Sequence, residues 1–200
     1  MKSPPDLVLA STSSYRHSLL ERVIAPFRCV APGIDESSRV GESGLALVTR
    51  LALAKARAVA ERYPDAWVIG SDQAALRIDA DRRETILGKP GTQARCIEQL
   101  RSCSGSTVTY LTAVAVVRER DASAFEFVAS TRVRFRVLDQ ATIERYVARE
   151  SPLDCTGGFK SEALGIALCE SIESDDPSAL IGLPLIRLCA VLRQVGFQIP

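Results

Sequence analysis

The chain carries no excess charge of either sign: 25 lysines and arginines stand against 24 acids, for a formal net charge of +1 over 200 residues. Holding nucleic acid through bulk electrostatics normally needs a basic excess, so a stable nucleic-acid partner is not expected. A local cluster of cations could still hold one small anion, which net charge cannot reveal. Histidine is nearly absent, with His17 the only one, and the six cysteines (Cys29, Cys96, Cys103, Cys155, Cys169, Cys189) form no C-x-x-C pair. Zinc-finger spacing is therefore missing, and the thiols are expected to be small buried hydrophobes in a reducing compartment. Long apolar runs are missing too. The longest, Tyr110 to Val117, falls far short of the ~20 residues of a membrane-spanning helix, so no membrane partner is expected. The first residues, Met-Lys-Ser-Pro-Pro-Asp, lead straight into a short apolar run with no signal-peptide core, which makes the cytoplasm the expected location.

What is present is a chain 46% hydrophobic, long enough to bury roughly 70% of the surface its unfolded form exposes. One domain over residues 1–200, or two lobes around a shared cleft, are both compatible with that length. Leu7 to Ala10 reads as a short buried strand, and a helix follows with Leu19, Leu20, Val23 and Ile24 on one side and Ser13 or Ser14 as its cap. A second helix is predicted over about Leu45 to Arg62. A strand from Ala66 to Gly70 would deliver Ser71-Asp72-Gln73 at its tip. A third helix follows Thr92, with Ile97 and Leu100 inward and Gly105 as its stop. Two β-rich runs, Thr107 to Val117 and Phe125 to Leu138, flank a polar hairpin loop. In the second run Phe127, Ala129, Val133, Phe135 and Val137 alternate with Glu126, Ser130, Arg132, Arg134 and Arg136, so one face should be buried and the other wet. Asp139 would cap a helix carrying Ile143, Tyr146 and Val147, and an apolar helix from about Pro184 to Gln194 closes the chain. The mixture of βα units with a long hairpin predicts an α/β (mixed α+β) fold on a mixed twisted sheet with flanking helices and a central cleft.

Several segments could carry chemistry. In Leu9 to Arg16 a strand ends, hydroxyls including Ser11 follow, and a helix begins beside Tyr15 and Arg16. The free N–H groups and positive dipole of a helix start make an anion cradle to which a guanidinium adds fixed donors, although hydroxyls there also serve as plain caps. Lys55 lies in the apolar stripe of the second helix with Val48, Leu51, Ala52 and Val59, while Arg50, Arg57 and Glu61 share the opposite side. An inward lysine must be paired, reach a polar cleft, or snorkel to water. Asp72, just past an apolar strand, stands where α/β sheets gather ligands, or else caps a turn. Glu36 is a second acid in a loop. Gly88-Lys89-Pro90 lacks the frame of a P-loop, and Gly41-Glu42-Ser43-Gly44 follows no strand and is no dinucleotide fingerprint. Gly157-Gly158-Phe159-Lys160-Ser161-Glu162 sets an aromatic ring, a cation and an acid beside two glycines. Arg132, Arg134 and Arg136 have no interleaved aromatics and read as surface charge.

Taken in order, Leu9 to Arg16, Ile34-Asp35-Glu36, the Lys55 helix, Gly70-Ser71-Asp72-Gln73, Gly88-Lys89-Pro90 and Gly158 to Glu162 resemble the Maf family, related in fold to the inosine triphosphate pyrophosphatases. The Asp-Gln pair and the Phe-Lys-Ser-Glu loop resemble the branch assigned to 7-methyl-GTP; the branch acting on thymidine and uridine triphosphates has Asp-Thr and a glutamine there. The resemblance implies a pyrophosphatase cutting a nucleoside triphosphate into monophosphate and pyrophosphate. It makes Asp72 the catalytic acid–base and gives base selectivity to Tyr15, Gln73 and Glu162. Ser14 replaces the family's usual proline and Ala163 a common glycine, departures that bear on substrate fit.

On that footing Glu36 and Asp72 are expected to hold Mg²⁺ or Mn²⁺, hard cations suited to oxygen ligands. Arg16, Lys55 and Lys89 would grip phosphates, with Ser11 and Lys160 as further substrate contacts and Tyr15 stacking on the base. The rival readings are a thymidine or uridine triphosphate pyrophosphatase, and a nucleotide-binding regulator of cell division without turnover. Monomer and homodimer are left open.

Overall fold

Alternation along short apolar strands organises the first part of the protein. β1 (Leu7–Leu9) pairs in parallel with the start of β3 (Trp67–Ile78), Leu7 opposite Trp67 and Leu9 opposite Ile69, while β2 (Arg28–Cys29) lies on the other side of β1. The computed structural model describes residues 5–79 and 81–200, so the reading of residues 1–4 as leaderless lies outside it. The remaining elements are α1 (Ser14–Glu21), α2 (Gly44–Ala60), β4 (Glu84–Leu87), α3 (Gln93–Cys103), β5 (Thr107–Arg118), β6 (Ser123–Phe135), α4 (Gln140–Glu150), β7 (Cys169–Ser174) and α5 (Leu185–Gln194). Seven strands form one sheet in the order β2-β1-β3-β5-β6-β7, with β4 paired to β3. Parallel ladders at β1 and antiparallel ones at β4 and β7 make the sheet mixed, as the sequence predicts.

The chain falls into two compact units. The first holds the described residues up to Asp72 with Thr112–Ala129 and Asp176–Pro200; the second holds Gln73–Leu111 and Ser130–Asp175. In the first unit both faces of the strands are covered, which is why they read as continuous apolar runs. Leu7, Leu9, Trp67, Ile69, Val114 and Val116 pack on one face against Leu19 and Leu20 of α1 and Leu188 and Leu192 of α5. Val8, Val68, Ala115 and Val117 pack on the other against Ala56, Val59 and Ala60 of α2. Each fully buried valine, leucine or isoleucine among them contributes about 1.5–3 kcal/mol. Pro184, at the N-cap of α5, has no side chain to satisfy that helix's first amides. Asp176 does so from a distance, accepting from Ile186 N at 2.7 Å, while Ser178 Oγ accepts from Leu185 N at 2.8 Å.

In the second unit β6 and β7 pair antiparallel, with Val133 opposite Ile172, and α3 packs against α4. Asp139 caps α4 as predicted and Thr92 caps α3; Cys96, Leu100 and Cys103 of α3 and Ile143, Tyr146 and Val147 of α4 are buried, while Ile97, expected inward, is half-buried. Phe159 stacks edge-on against Phe135 at 5.2 Å.

Four expectations need correction. β3 does not stop at Gly70 but runs on to Ile78, placing Asp72 within the strand rather than at its tip, because the chain stays extended past the polar triplet into an antiparallel ladder with β4, from Ala75 opposite Leu87 to Ile78 opposite Glu84. The sequence pattern signals none of β2, β4 and β7, which are short strands without hairpin dipeptides beside them. Val137 is 82% exposed; β6 ends at Phe135, so alternation stops and Leu138 turns inward instead. Cys29 is exposed on β2, whereas Cys96, Cys103 and Cys189 are buried thiols. Among the described residues no helix is long and apolar enough to cross a membrane.

Candidate active site

Period two along β3 decides what meets what. Trp67, Ile69 and Ser71 share one face, while Val68, Gly70 and Asp72 share the face covered by α2. A side chain at position 70 would strike α2: a Cβ there lies 2.2 Å from Ala52 O and 2.6 Å from Ala56 N. Glycine at 70 thus lets helix backbone rest on strand backbone, and the next inward pair beyond it is Lys55 and Asp72. Lys55 is buried, and its Nζ donates to Asp72 Oδ1 at 2.7 Å and to Glu36 Oε2 at 2.6 Å. The lysine in the apolar stripe is therefore paired and does not snorkel. An unpaired ammonium at this depth would cost several kcal/mol; two carboxylates offset that cost.

Arg16, at the start of α1, reaches the same charge cluster. Its Nε donates to Gly182 O at 3.0 Å, and Ser71 Oγ donates to the same carbonyl at 3.0 Å. Burial pulls the Arg16 pKa below its ordinary value, while the negative charges of Asp72 and Glu36 oppose that pull. Ser13 is the N-cap of α1, accepting from Arg16 N, and the buried Ser11 accepts from Ser13 N at 3.1 Å. Tyr15 is half-buried in the first turn. The first unit thus brings Glu36, Lys55 and Asp72 together, with Arg16 within electrostatic reach.

Whether these groups suit a divalent cation follows from their chemistry. Among the described residues no three acids, histidines or cysteines cluster as an all-protein cage. Mg²⁺ does not ask for one: it is typically held by one or two carboxylates plus substrate phosphates. Glu36 and Asp72 already share one positive group, the Lys55 ammonium, so the pair of hard oxygen donors fits such an ion.

The second unit carries Gln73, Lys89, Lys160 and Glu162. Gln73 follows Asp72 on β3 and is half-buried. Lys89 is exposed, and its loop is stitched to the glycine loop: Gly157 N donates to Gly88 O at 3.1 Å, and Gly91 N to Leu153 O at 3.0 Å. Gly158 has φ +65°, and a Cβ there would lie 2.6 Å from Cys96 Sγ, which accounts for glycine at that position. Lys160 has a local partner, its Nζ standing 3.5 Å from Glu150 Oε1 and 3.3 Å from Glu150 O. Glu162 is exposed and accepts from Ser161 Oγ at 3.4 Å. Arg132 and Arg134 are exposed and pair with Glu173 and Glu170.

Two contacts of backbone in the first unit leave little trace in the sequence. The Gly182 carbonyl that orients Arg16 comes from a turn whose sequence shows no donor or acceptor side chain. Gly70 was legible in principle, as a glycine inside a strand opposite the small residues Ala52 and Ala56 of a neighbouring helix.

Comparison with known proteins agrees with this architecture. Residues 6–195 match the family model described as Maf-like protein. The chain is 52% identical over 199 residues to the 7-methyl-GTP pyrophosphatase of Alkalilimnicola ehrlichii, covering 100% of this chain and 98% of that one. It is 52% identical over 197 residues to the 7-methyl-GTP pyrophosphatase of Xanthomonas axonopodis pv. citri (98% and 100%) and 49% identical over 196 residues to that of Pseudomonas aeruginosa (98% and 100%). With nearly the whole length matched by the family model, and half of all positions shared with each of these relatives, this chain belongs to the Maf family.

Proposed function

We propose that this protein hydrolyses 7-methyl-GTP to the nucleoside monophosphate and pyrophosphate with a divalent cation. The observation that carries the chemistry is the buried Lys55 ammonium held between Glu36 and Asp72, with Arg16 beside them. The substrate is carried over from the relatives of that name.

A triphosphate repels an incoming nucleophile, so the protein's task is positioning and charge neutralisation. Asp72 offers Lys55 one oxygen; the other, Oδ2, is the one to orient a water toward the α-phosphorus and take its proton as the bond to the β-phosphate oxygen breaks. Arg16 and Lys55 balance the charge of the phosphates and the departing pyrophosphate, with Lys89 as a further cation. Glu36 and Asp72 would hold a Mg²⁺ or Mn²⁺ ion, which would supply Lewis-acid polarisation of the phosphoryl group and lower the pKa of a bound water. Tyr15 is assigned to stacking on the base, and Glu162 and Gln73 to its polar edge. Methylated guanine is cationic, so an aromatic face and a carboxylate both favour it over plain guanine. Ser11 and Lys160 are secondary contacts, the latter through the loop it ties to Glu150.

The test is pyrophosphate release from 7-methyl-GTP, GTP, dTTP and UTP, each with and without chelator. The expected result is the highest kcat/KM for 7-methyl-GTP, abolished by chelator, and an Asp72→Asn variant that folds but loses at least about 2 kcal/mol of transition-state stabilisation. Preference for dTTP or UTP would overturn the substrate assignment, and nucleotide binding without pyrophosphate release would overturn the enzyme.

A further inference from the structure

Glu36 poses a positioning problem. Its side chain is 55% exposed and it sits in the segment 30–39, which has no regular secondary structure, so neither burial nor a helix fixes its carboxylate. Yet Glu36 Oε2 stands 2.6 Å from Lys55 Nζ. What fixes the segment is the next turn of α2. Arg50 grips Glu42 with two parallel bonds, Nε to Oε1 at 2.6 Å and Nη2 to Oε2 at 2.7 Å, and the same Nη2 donates to Ser37 O at 3.0 Å. Glu42 Oε2 also accepts from Arg39 N at 3.0 Å. Ser37 is locked in turn to Asp35, through N to Oδ1 at 2.9 Å and Oγ to Oδ1 at 2.7 Å. The residues on both sides of Glu36 are therefore tied down, and the tie ends on the helix that carries Lys55.

A surface ion pair is usually worth little, but this one differs in kind. It is bidentate, the Glu42 side chain is only 8% exposed, and its third bond goes to backbone beside a proposed metal ligand. Arg50, which shares the outer side of α2 with Arg57 and Glu61, is thus not a solvated charge.

We propose that Arg50 and Glu42 are positioning residues for Glu36: the pair anchors the 35–42 segment to α2 so that the Glu36 carboxylate meets the cation held with Asp72. The proposal rests on the metal-dependent reading above and deepens it. Misplacing a catalytic group by about an ångström can cost on the order of 100-fold, so a loosened segment should be visible in both metal binding and turnover.

Two measurements separate the brace from that reading. Amide hydrogen exchange across residues 31–43 should quicken in Arg50→Gln and Glu42→Gln, and less in Arg50→Lys, which keeps the charge but loses the fork. Mn²⁺ titration of the free protein, followed by electron paramagnetic resonance, should weaken roughly tenfold in Arg50→Gln, with kcat/KM for 7-methyl-GTP falling by about 10- to 100-fold. Both losses should vanish in a Glu36→Ala background, since the brace acts only through that carboxylate. Unchanged exchange in both glutamine variants overturns the brace, and an equal loss with or without Glu36 overturns its positioning role. If the wild type releases no pyrophosphate, the functional reading fails, while exchange and Mn²⁺ binding still decide the brace. Should Arg50→Gln fail to fold, Glu42→Gln and Arg50→Lys carry the same comparison.

Discussion

Replacing Lys55 by methionine isolates the electrostatics of the site, because methionine keeps the unbranched stem and most of the volume, so the cavity term is small. The loss is that of one partner in a buried ion pair. Removing a partner from a fully buried pair costs about 3–5 kcal/mol, since the remaining charge stays uncompensated. The Asp72 side chain is 12% exposed and that of Glu36 55%, so nearly all the penalty falls on Asp72, and Glu36 adds at most about 1 kcal/mol. A net destabilisation of about 3 kcal/mol follows. Urea unfolding read by tryptophan fluorescence suits the measurement, because Trp67 is the only tryptophan and lies buried in the core of the first unit. At a slope of about 2 kcal/mol per molar urea the midpoint should fall by about 1.5 M. Adding Asp72→Asn to Lys55→Met removes the stranded charge and should recover at least half of the loss. A single-variant cost below about 1 kcal/mol, or a double variant no more stable than the single, would show that Lys55 and Asp72 are not the coupled buried pair described here.

Gly70→Ala should cost about 1–3 kcal/mol by the same urea assay, because its Cβ would stand 2.2 Å from Ala52 O, and turnover should fall with stability as α2 lifts Lys55 from Asp72; a fully stable, fully active variant would refute the close-approach argument. Glu42 is held at about 2 by its hydrogen bonds to Arg50 and then to the Arg39 amide. Since the folded pKa lies below the unfolded value, its contribution is complete above the ordinary glutamate range near 4.3 and is lost only as pH falls through about 2. A carboxyl ¹³C titration should therefore find Glu42 still ionised at pH 3.5, and a midpoint near 4.3 would contradict the brace.

What the sequence discloses about this site, and what it hides, divides along a physical line. Wherever a role depends on periodicity, the residue could be found in advance. Lys55 stands out because an ammonium in a 3.6-residue apolar stripe demands a partner, and Asp139 because a capping side chain precedes its helical pattern. For Asp72 the sequence pattern gives an incomplete reason: it points to a strand tip, yet the strand continues, and what aims Asp72 at Lys55 is alternation along β3 together with a bare glycine two residues earlier. Ties that join an irregular segment to a helix leave no such trace. Arg50 and Glu42 lie eight residues apart across a loop-to-helix boundary, a separation that neither a helix nor a strand brings into contact, and Gly182 contributes only a backbone carbonyl to Arg16. The periodic residues set which charges face inward, and the aperiodic ties set whether those charges coincide. Substitutions at Arg50 or Glu42 should therefore alter metal binding more than fold stability, while substitutions at Lys55 or Gly70 should alter both. That contrast separates a brace from a core contact even where the two sit on one helix.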